Sequence, residues 1–238
     1  MAKYGSNNVT FIVGGFDVSG VSTNLSDVST ANLEETTGLG DAWQEQTSTG
    51  VRTAELTADG FYDDATDSIN AALAGSEATS KVVSYYYAGG TLGTPFTSHE
   101  GVFAGTYTRQ ATRGELTKAN GVYTVTGVKD EGVVLLPLAT VSAPGTGSAT
   151  NYGSATSSGG AGTLQVTAVD GTSPTADVKI RHSADDITYA DLITFTQATA
   201  RTAERTTVSG TVNQYLKATY TIGGTAPNVT LVVGFARG

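Results

Sequence analysis

Apolar and polar residues alternate in short stretches along this chain, and the period is that of strands. "NVTFIVGGFDVSG" sets Val9, Phe11 and Val13 against Thr10, Ile12 and Gly14 before running into turn residues. "VFAGTYTRQ" sets Val102, Ala104, Thr106 and Thr108 against Phe103, Gly105, Tyr107 and Arg109, and "KVVSYYYAGG" is a β-branched and aromatic run ended by Gly-Gly. In the first part the pattern predicts strands over 9–18, 51–58, 81–88, 101–111, 121–129 and 132–138. Between the first two lies Ser22 to Gly50, polar and without alternation, which reads as a long loop holding the only Trp, Trp43. One helix stands out in "FYDDATDSINAALAGS". Asp63 or Asp64 is placed to cap it, and Asp67 to sit in or near its first turn. Ala65, Ile69, Ala72 and Leu73 fall on one face, and Gly75 supplies the stop. About three turns are expected, with Ile69 and Leu73 inward.

The texture changes near residue 142. "SAPGTGSATNYGSATSSGGAG" carries no charge and reads as a linker, or as a loose first strand of a second domain. Beyond it come "TLQVTAV", "ADVKIRHS", "YADLITFT", "RTAERTTVSG", "QYLKATYTI" and "VTLVVGFA", separated by the turn signals "DGTSP", "SADD" and "GGTAPN". Regular short strands without a helix predict a β-sandwich or jelly roll. In "QYLKATYTI" one face is Tyr215, Lys217, Thr219 and Thr221, the other Leu216, Ala218, Tyr220 and Ile222. The expected division is therefore 1–142, a linker or first strand over 143–160, and a second β domain over 161–238. The fold class is mainly β.

Composition sharpens this reading. Of 238 residues only 15% are charged, there is no Cys, and the net charge is −9. Residues 1–142 hold 7 basic and 16 acidic side chains, while 143–238 hold six of each. All of the imbalance lies in the first part, which would repel nucleic acid rather than grip it. Without Cys there is no disulfide and no thiolate metal site. The N-terminus has no apolar run behind a charge and no stretch nears membrane-spanning length, so a soluble protein made in the cytoplasm is expected.

Candidate chemistry is thin. His99, in "TPFTSHEG", reads as a solvated loop histidine, and His182 is read the same way. Neither stands at metal-ligand spacing from another ligand. No Gly-x-Ser-x-Gly and no Gly-Lys-Ser/Thr occurs. Asp63, Asp64 and Asp67 lack an EF-hand pattern and suit capping; Glu34 and Glu35 suit a solvated loop; Asp185 and Asp186 suit a turn. The sequons at Asn8 and Asn228 have no secretory context. No enzyme, cofactor or metal is expected.

At this point "NVTFIVGGFDVSG", the long acidic loop and "TGVRTAELTADGFYDDATDSINAALAG" together resemble the major tail tube proteins of long-tailed bacteriophages, over roughly residues 8–140. "VKIRHSADDITYADLITFT" with "AERTTVSGTVNQYLKATYTIGG" looks like an appended sandwich module of the galactose-binding or jelly-roll type. The usual wording of its turn is Asp-Gly-x-Thr-Trp, read here with Ile187 in place of the Gly and Tyr189 in place of the Trp. Those departures tell against sugar binding, for which Tyr152 is the best-placed aromatic. The resemblance implies a tail-tube barrel or sandwich with one helix, followed by an Ig-like or jelly-roll sandwich. It implies a virion tail protein made in the host cytoplasm, with hexameric rings stacked into a hollow tube. Its implied partners are further copies, the tape measure, the terminator and the baseplate or tip, with DNA passing through unbound and no membrane contact. It makes Ser22 to Gly50 an assembly arm, with Leu33, Glu34, Glu35 and Trp43 as inter-subunit contacts; the alternative for Trp43 is packing on its own domain. Capsid decoration, a carbohydrate-binding module and, last, a hydrolase using paired carboxylates are the competing expectations.

Overall fold

The structure is a computed structural model describing residues 5, 8–39, 42–65, 68–73 and 79–238. Among these it is mainly β. The strands are β1 (Thr10–Val13), β2 (Phe16–Asp17), β3 (Ser22–Glu35), β4 (Gln46–Phe61), β5 (Lys81–Tyr86), β6 (Pro95–Gln110), β7 (Lys118–Val125), β8 (Lys129–Val141), β9 (Gly145–Thr146), β10 (Thr150–Asn151), β11 (Gly160–Ser183), β12 (Ala190–Thr194), β13 (Thr202–Val208) and β14 (Tyr215–Arg237), with the helix α1 (Ile69–Leu73) between β4 and β5. They join into one antiparallel sheet whose main path runs β12-β11-β14-β8-β6-β5-β1-β2, and β7, β4 and β3 continue from β6.

The spine of the C-terminal half is a single ladder. β11 and β14 pair from Gly160↔Arg237 to Ser183↔Tyr215. "DGTSP" and "GGTAPN", expected as chain reversals, lie opposite each other within this ladder, with Asp170↔Asn228, Thr172↔Thr225 and Thr175↔Gly223 in register. Gly171, Ser173, Gly224 and Ala226 take positive φ there. Turn residues on facing strands thus produce a shared bend, because each supplies the extra residue that a bulge needs. Beyond the bend, Leu216, Ala218 and Ile222 are buried, the apolar face predicted for that strand.

The uncharged stretch after residue 142 is laid along β14. β9 pairs with Thr219–Tyr220 and β10 with Tyr215–Leu216, and Thr156 bridges Val212. Small side chains suit this path: a Cβ on Gly145 would stand 2.3 Å from the Tyr220 hydroxyl.

Two cores flank the sheet. One holds Leu56, Ile69, Leu73, Val83, Tyr85 and Tyr123, the other Leu164, Val178, Ile180, Leu216, Val233 and Phe235. Between them Ile12, Tyr86, Phe96, Val134 and Val232 form a third cluster, with the rings of Tyr86 and Phe96 stacked at 5.6 Å. β1 sends Phe11 and Val13 one way and Ile12 the other, and all three are at most 2% exposed. A strand covered on both faces reads as an unbroken apolar run, as "TFIV" and "LVVGFA" do.

Polar side chains complete the joint. Gln165 on β11 accepts from Gly15 N at 2.9 Å and donates to Ser84 Oγ at 3.0 Å and Val82 O at 3.2 Å. Arg205 on β13 donates to both oxygens of Asp130 on β8, at 2.5 and 3.0 Å, and to Glu100 on β6 at 2.9 Å. Arg201 lies 4.3 Å over the Phe16 ring.

The described part of the helix is Ile69–Leu73, and the rest of the expected three turns lies outside the described residues. Ile69, Ala72 and Leu73 are buried as expected, whereas Ala65 is exposed and precedes the helix. Asp63 accepts from Ala65 N at 2.9 Å and so shapes the approach. Asp67 and Gly75 lie outside the described residues. In β6 a bulge between Ala104 and Thr106 shifts the alternation, so Tyr107 packs on the same core as Ala104 rather than on the opposite face.

Candidate assembly surface

Ser22 to Gly50 is not the extended polar loop its composition suggested. β3 and β4 pair along their length, from Ser22↔Gly60 to Glu35↔Gln46. Both faces of this ribbon beyond its root are solvated, so no apolar alternation marks it in the sequence, and only its Thr, Ser and Val content favours strand. β4 pairs with β7 only from Ala54 to Phe61. Residues 46–53 and their partners therefore overhang the sheet by roughly 26 Å at about 3.3 Å per residue. Burial changes at the same place: Leu56, Ala58 and Gly60 are buried, and every residue from Gln46 to Thr53 is exposed. At Asn32 a bulge opposes Thr49 to Val51, with Gly50 at φ +80, and twists the ribbon.

This arm carries apolar side chains into solvent. Val28, Leu33 and Val51 are each just over half exposed, Leu39 fully, and Trp43 is 85% exposed. Trp43 is therefore not covered by the described residues of its own chain. Leu33, Glu34 and Glu35 lie near the end of β3, and Glu34 and Glu35 are exposed. The arm thus brings together the four residues singled out in the sequence, and adds Val28, Leu39 and Val51.

The root of the arm is pinned by a polar knot that the sequence does not announce. Asp27 Oδ2 on β3 accepts from the Tyr85 hydroxyl at 2.5 Å and Lys129 Nζ at 2.8 Å, and pairs with His99 Nε2 at 3.2 Å. His99, expected in a solvated loop, is fully buried in β6. Burial pushes its pKa down against the opposing pull of Asp27. Burial pushes the Asp27 carboxyl up, but the hydrogen bonds from Lys129 and Tyr85 and the nearby charges outweigh it and leave it below the ordinary carboxylate value. Burial, then the bond to Asp27, raises the Tyr85 phenol strongly. Asp27 Oδ1 is buried and accepts no hydrogen bond among the described residues. Asp27 also lines a half-open cleft of about 650 Å³ at the arm's root, walled by Val9, Phe11, Leu25 and Tyr87.

The remaining candidates are structural. Asp185 accepts from the backbone of Ile187 and Thr188 at 3.0 and 2.9 Å and from Ser183 Oγ, which lowers its pKa to about 2. Asp186 takes φ +62, so the glycine-like position of this turn is Asp186 and not Ile187. Tyr152 is no open platform: it packs on the C-terminal core, donates to Phe235 O at 3.2 Å and lies under Arg237. His182 is half-buried in β11 and accepts from Asn213 N at 3.2 Å. Among the described residues no group of three metal-ligating side chains occurs, and no helix is long and apolar enough to cross a membrane.

No family model and no curated protein matches the sequence. Among solved structures, the tail of an empty gene transfer agent particle refined with C6 symmetry is 12% identical with a TM-score of 0.42, over 54% of this chain and 97% of that one. The cap that terminates the tube of the anti-feeding prophage is 12% identical with a TM-score of 0.43, over 56% of this chain and 93% of that one. The SPP1 Dit protein, described as a hub of the adsorption apparatus of phages infecting Gram-positive bacteria, is 12% identical with a TM-score of 0.38, over 95% of this chain and 98% of that one.

Proposed function

We propose that this chain is a structural subunit of a phage-type tail, a tube protein whose copies close into hexameric rings and stack into a hollow conduit for DNA. The observation that carries the reading is the arm. A two-stranded ribbon is marginal in water by itself, and this one overhangs the sheet while presenting Val28, Leu33, Leu39, Trp43 and Val51 to solvent. A neighbouring copy that covers it removes both liabilities. Among the described residues β3 pairs only with β4, and an edge strand of this length is protected when another subunit lies along it. Heterologous contacts of arm on body generate rings or filaments, as a tube requires.

The acidic N-terminal half suits a passage that must not hold DNA, and the charge-balanced C-terminal half belongs on the outside of the tube. The tape measure, terminator and baseplate or tip would be its partners in the virion. The test is electron microscopy of the purified protein over a concentration series. Six-membered rings or hollow tubes are expected. Discrete trimers, or a monomer throughout, would overturn the reading. A companion variant excises Ala31 to Arg52 and joins Thr30 to its register partner Thr53 through an Asn-Gly turn. It should melt as the intact protein does and form no rings; rings from this variant would remove the arm from the account.

A further inference from the structure

The arm tip and the turn between β6 and β7 carry opposite charge. From Ala31 to Gly50 there are four acids, Glu34, Glu35, Asp41 and Glu45, and no base. Glu34, Glu35 and Glu45 are exposed, beside the exposed Leu39 and Trp43. The β6–β7 turn is the reverse. In "RQATRGELTK" (Arg109 to Lys118) three bases stand against one acid, Glu115. Arg109, Arg113, Lys118 and Leu116 are all exposed. Three of the seven bases in residues 1–142 are thus gathered on one short turn. Its own chain does not neutralise it. Lys118 meets Glu115 only at 4.0 Å, with both side chains about half exposed, and such a pair holds little. Arg109 lies over the rings of Tyr107 and Tyr62, 5.2 and 5.7 Å from their centres. Among the described residues neither Arg109 nor Arg113 pairs with a carboxylate. By contrast Lys129, Lys179, Arg181 and Arg205 are each held by a carboxylate of the chain.

The ladder holds the two charged ends apart. β7 leaves the turn at Lys118, opposite Phe61, and ends at Val125, opposite Ala54. β4 continues past Ala54 into the arm, so turn and tip lie at opposite ends of one strand axis. From Phe61 to Gln46 that axis is about 50 Å long at about 3.3 Å per residue. The Debye length in physiological salt is about 8 Å, so the turn cannot neutralise the tip of its own chain. The geometry points to a second copy: we infer that the arm tip of one subunit docks on the β6–β7 turn of the next. Glu34, Glu35 and Glu45 then meet Arg109, Arg113 and Lys118, and Trp43 and Leu39 cover Leu116. The Trp43 ring also offers its face to an arginine. Tip and turn are different surfaces, so each copy gives its tip to one neighbour and its turn to another. The contact is heterologous and propagates along the strand axis. The inference rests on the assembly reading above and gives it a specific joint.

The chain has no Cys, so two introduced ones report a single contact. Gln44→Cys mixed with Thr112→Cys should give a covalent heterodimer under oxidation, and Gln44→Cys mixed with Thr221→Cys should not. Charge reversal tests the same joint without a crosslink. Arg109→Glu with Arg113→Glu should weaken self-association at least about 30-fold, because like charges then face each other across the contact, with thermal stability unchanged. Adding Glu34→Lys and Glu35→Lys to that chain should restore assembly. Oligomers that survive the reversal and give no Gln44–Thr112 crosslink would overturn this joint while leaving assembly intact. Duplex DNA bound by the intact protein and released by Arg109→Glu with Arg113→Glu, with oligomers unaffected, would assign the turn to phosphates instead. An intact protein that forms neither oligomers nor crosslink would overturn the joint and the tail reading together.

Discussion

Replacing Arg205 with Ala tests whether the two halves of the chain are one cooperative body. Arg205 donates two hydrogen bonds to Asp130 and one to Glu100, which joins β13 to β8 and β6. The side chains of Arg205 and Asp130 are each 10% exposed, while that of Glu100 is 45% exposed. Removing the guanidinium strands the Asp130 carboxylate, and breaking a buried pair from one side costs about 3–5 kcal/mol. Water already reaches the Glu100 end, so the lower figure, about 3 kcal/mol, applies. For a chain of this size that lowers Tm by roughly 6–12 °C. The assay is calorimetry with urea unfolding of the intact protein, Arg205→Ala, and Arg205→Ala combined with Asp130→Asn. The double variant should regain a substantial part of the loss, because a neutral amide is less costly to bury than an unpaired charge. One transition is expected for every form. A loss below about 1 kcal/mol, the value of an exposed pair, or two separate transitions, would refute the reasoning.

Gln165→Leu should cost about 2–3 kcal/mol in urea unfolding, because it leaves Gly15 N without its acceptor inside the joint; a neutral outcome would mean that water replaces the amide. Acid should destabilise the protein through the knot at the arm's root. His99 has its folded pKa below the ordinary 6.5, so its contribution is complete above 6.5 and is lost as pH falls toward the folded value. Asp27 is likewise depressed, and its contribution is lost at lower pH as the carboxyl is protonated. The urea midpoint should therefore decline below about pH 6.5, and His99→Gln should flatten the upper part of that decline; an unchanged slope would assign it to His182. Gly132→Ala should destabilise by about 1–3 kcal/mol, since its Cβ would stand 2.2 Å from Phe235 O, and a soluble variant with unchanged Tm would show that β14 yields there.

The mainly β character was legible wherever one or both faces of a strand are buried. Phe11, Val13 and Leu216 announce themselves because burial demands apolar side chains at a period of two. Ile69 and Leu73 announce the helix because burial of one helical face demands apolar side chains four positions apart. β3 and residues 46–50 of β4 read as loop because solvent on both faces imposes no pattern. "DGTSP" and "GGTAPN" read as reversals because a bulge and a turn draw on the same residues, and only the pairing partner distinguishes them. Of the surface residues, Trp43 was visible as a lone large aromatic in a polar stretch. Asp27 was not, since an aspartate among Ser, Thr and Asn carries no sign that Tyr85, His99 and Lys129 will converge on it.

The sequence by itself determined the strands that bury a face, the buried faces of Leu216–Ile222 and Ile69–Leu73, the acidic first part and the neutral second. These come from local preference and from the sign of each charge, which need no partner to be read. Tertiary structure decided that β11 and β14 run unbroken past their glycines, that the uncharged stretch is held against β14, and that Gln165 and Arg205 fasten the halves. It also decided that Ser22 to Glu35 is a strand and that His99 is buried beside Asp27. Each of these depends on which distant segment supplies the other half of a hydrogen bond or a contact, and that choice is made by the folded chain as a whole.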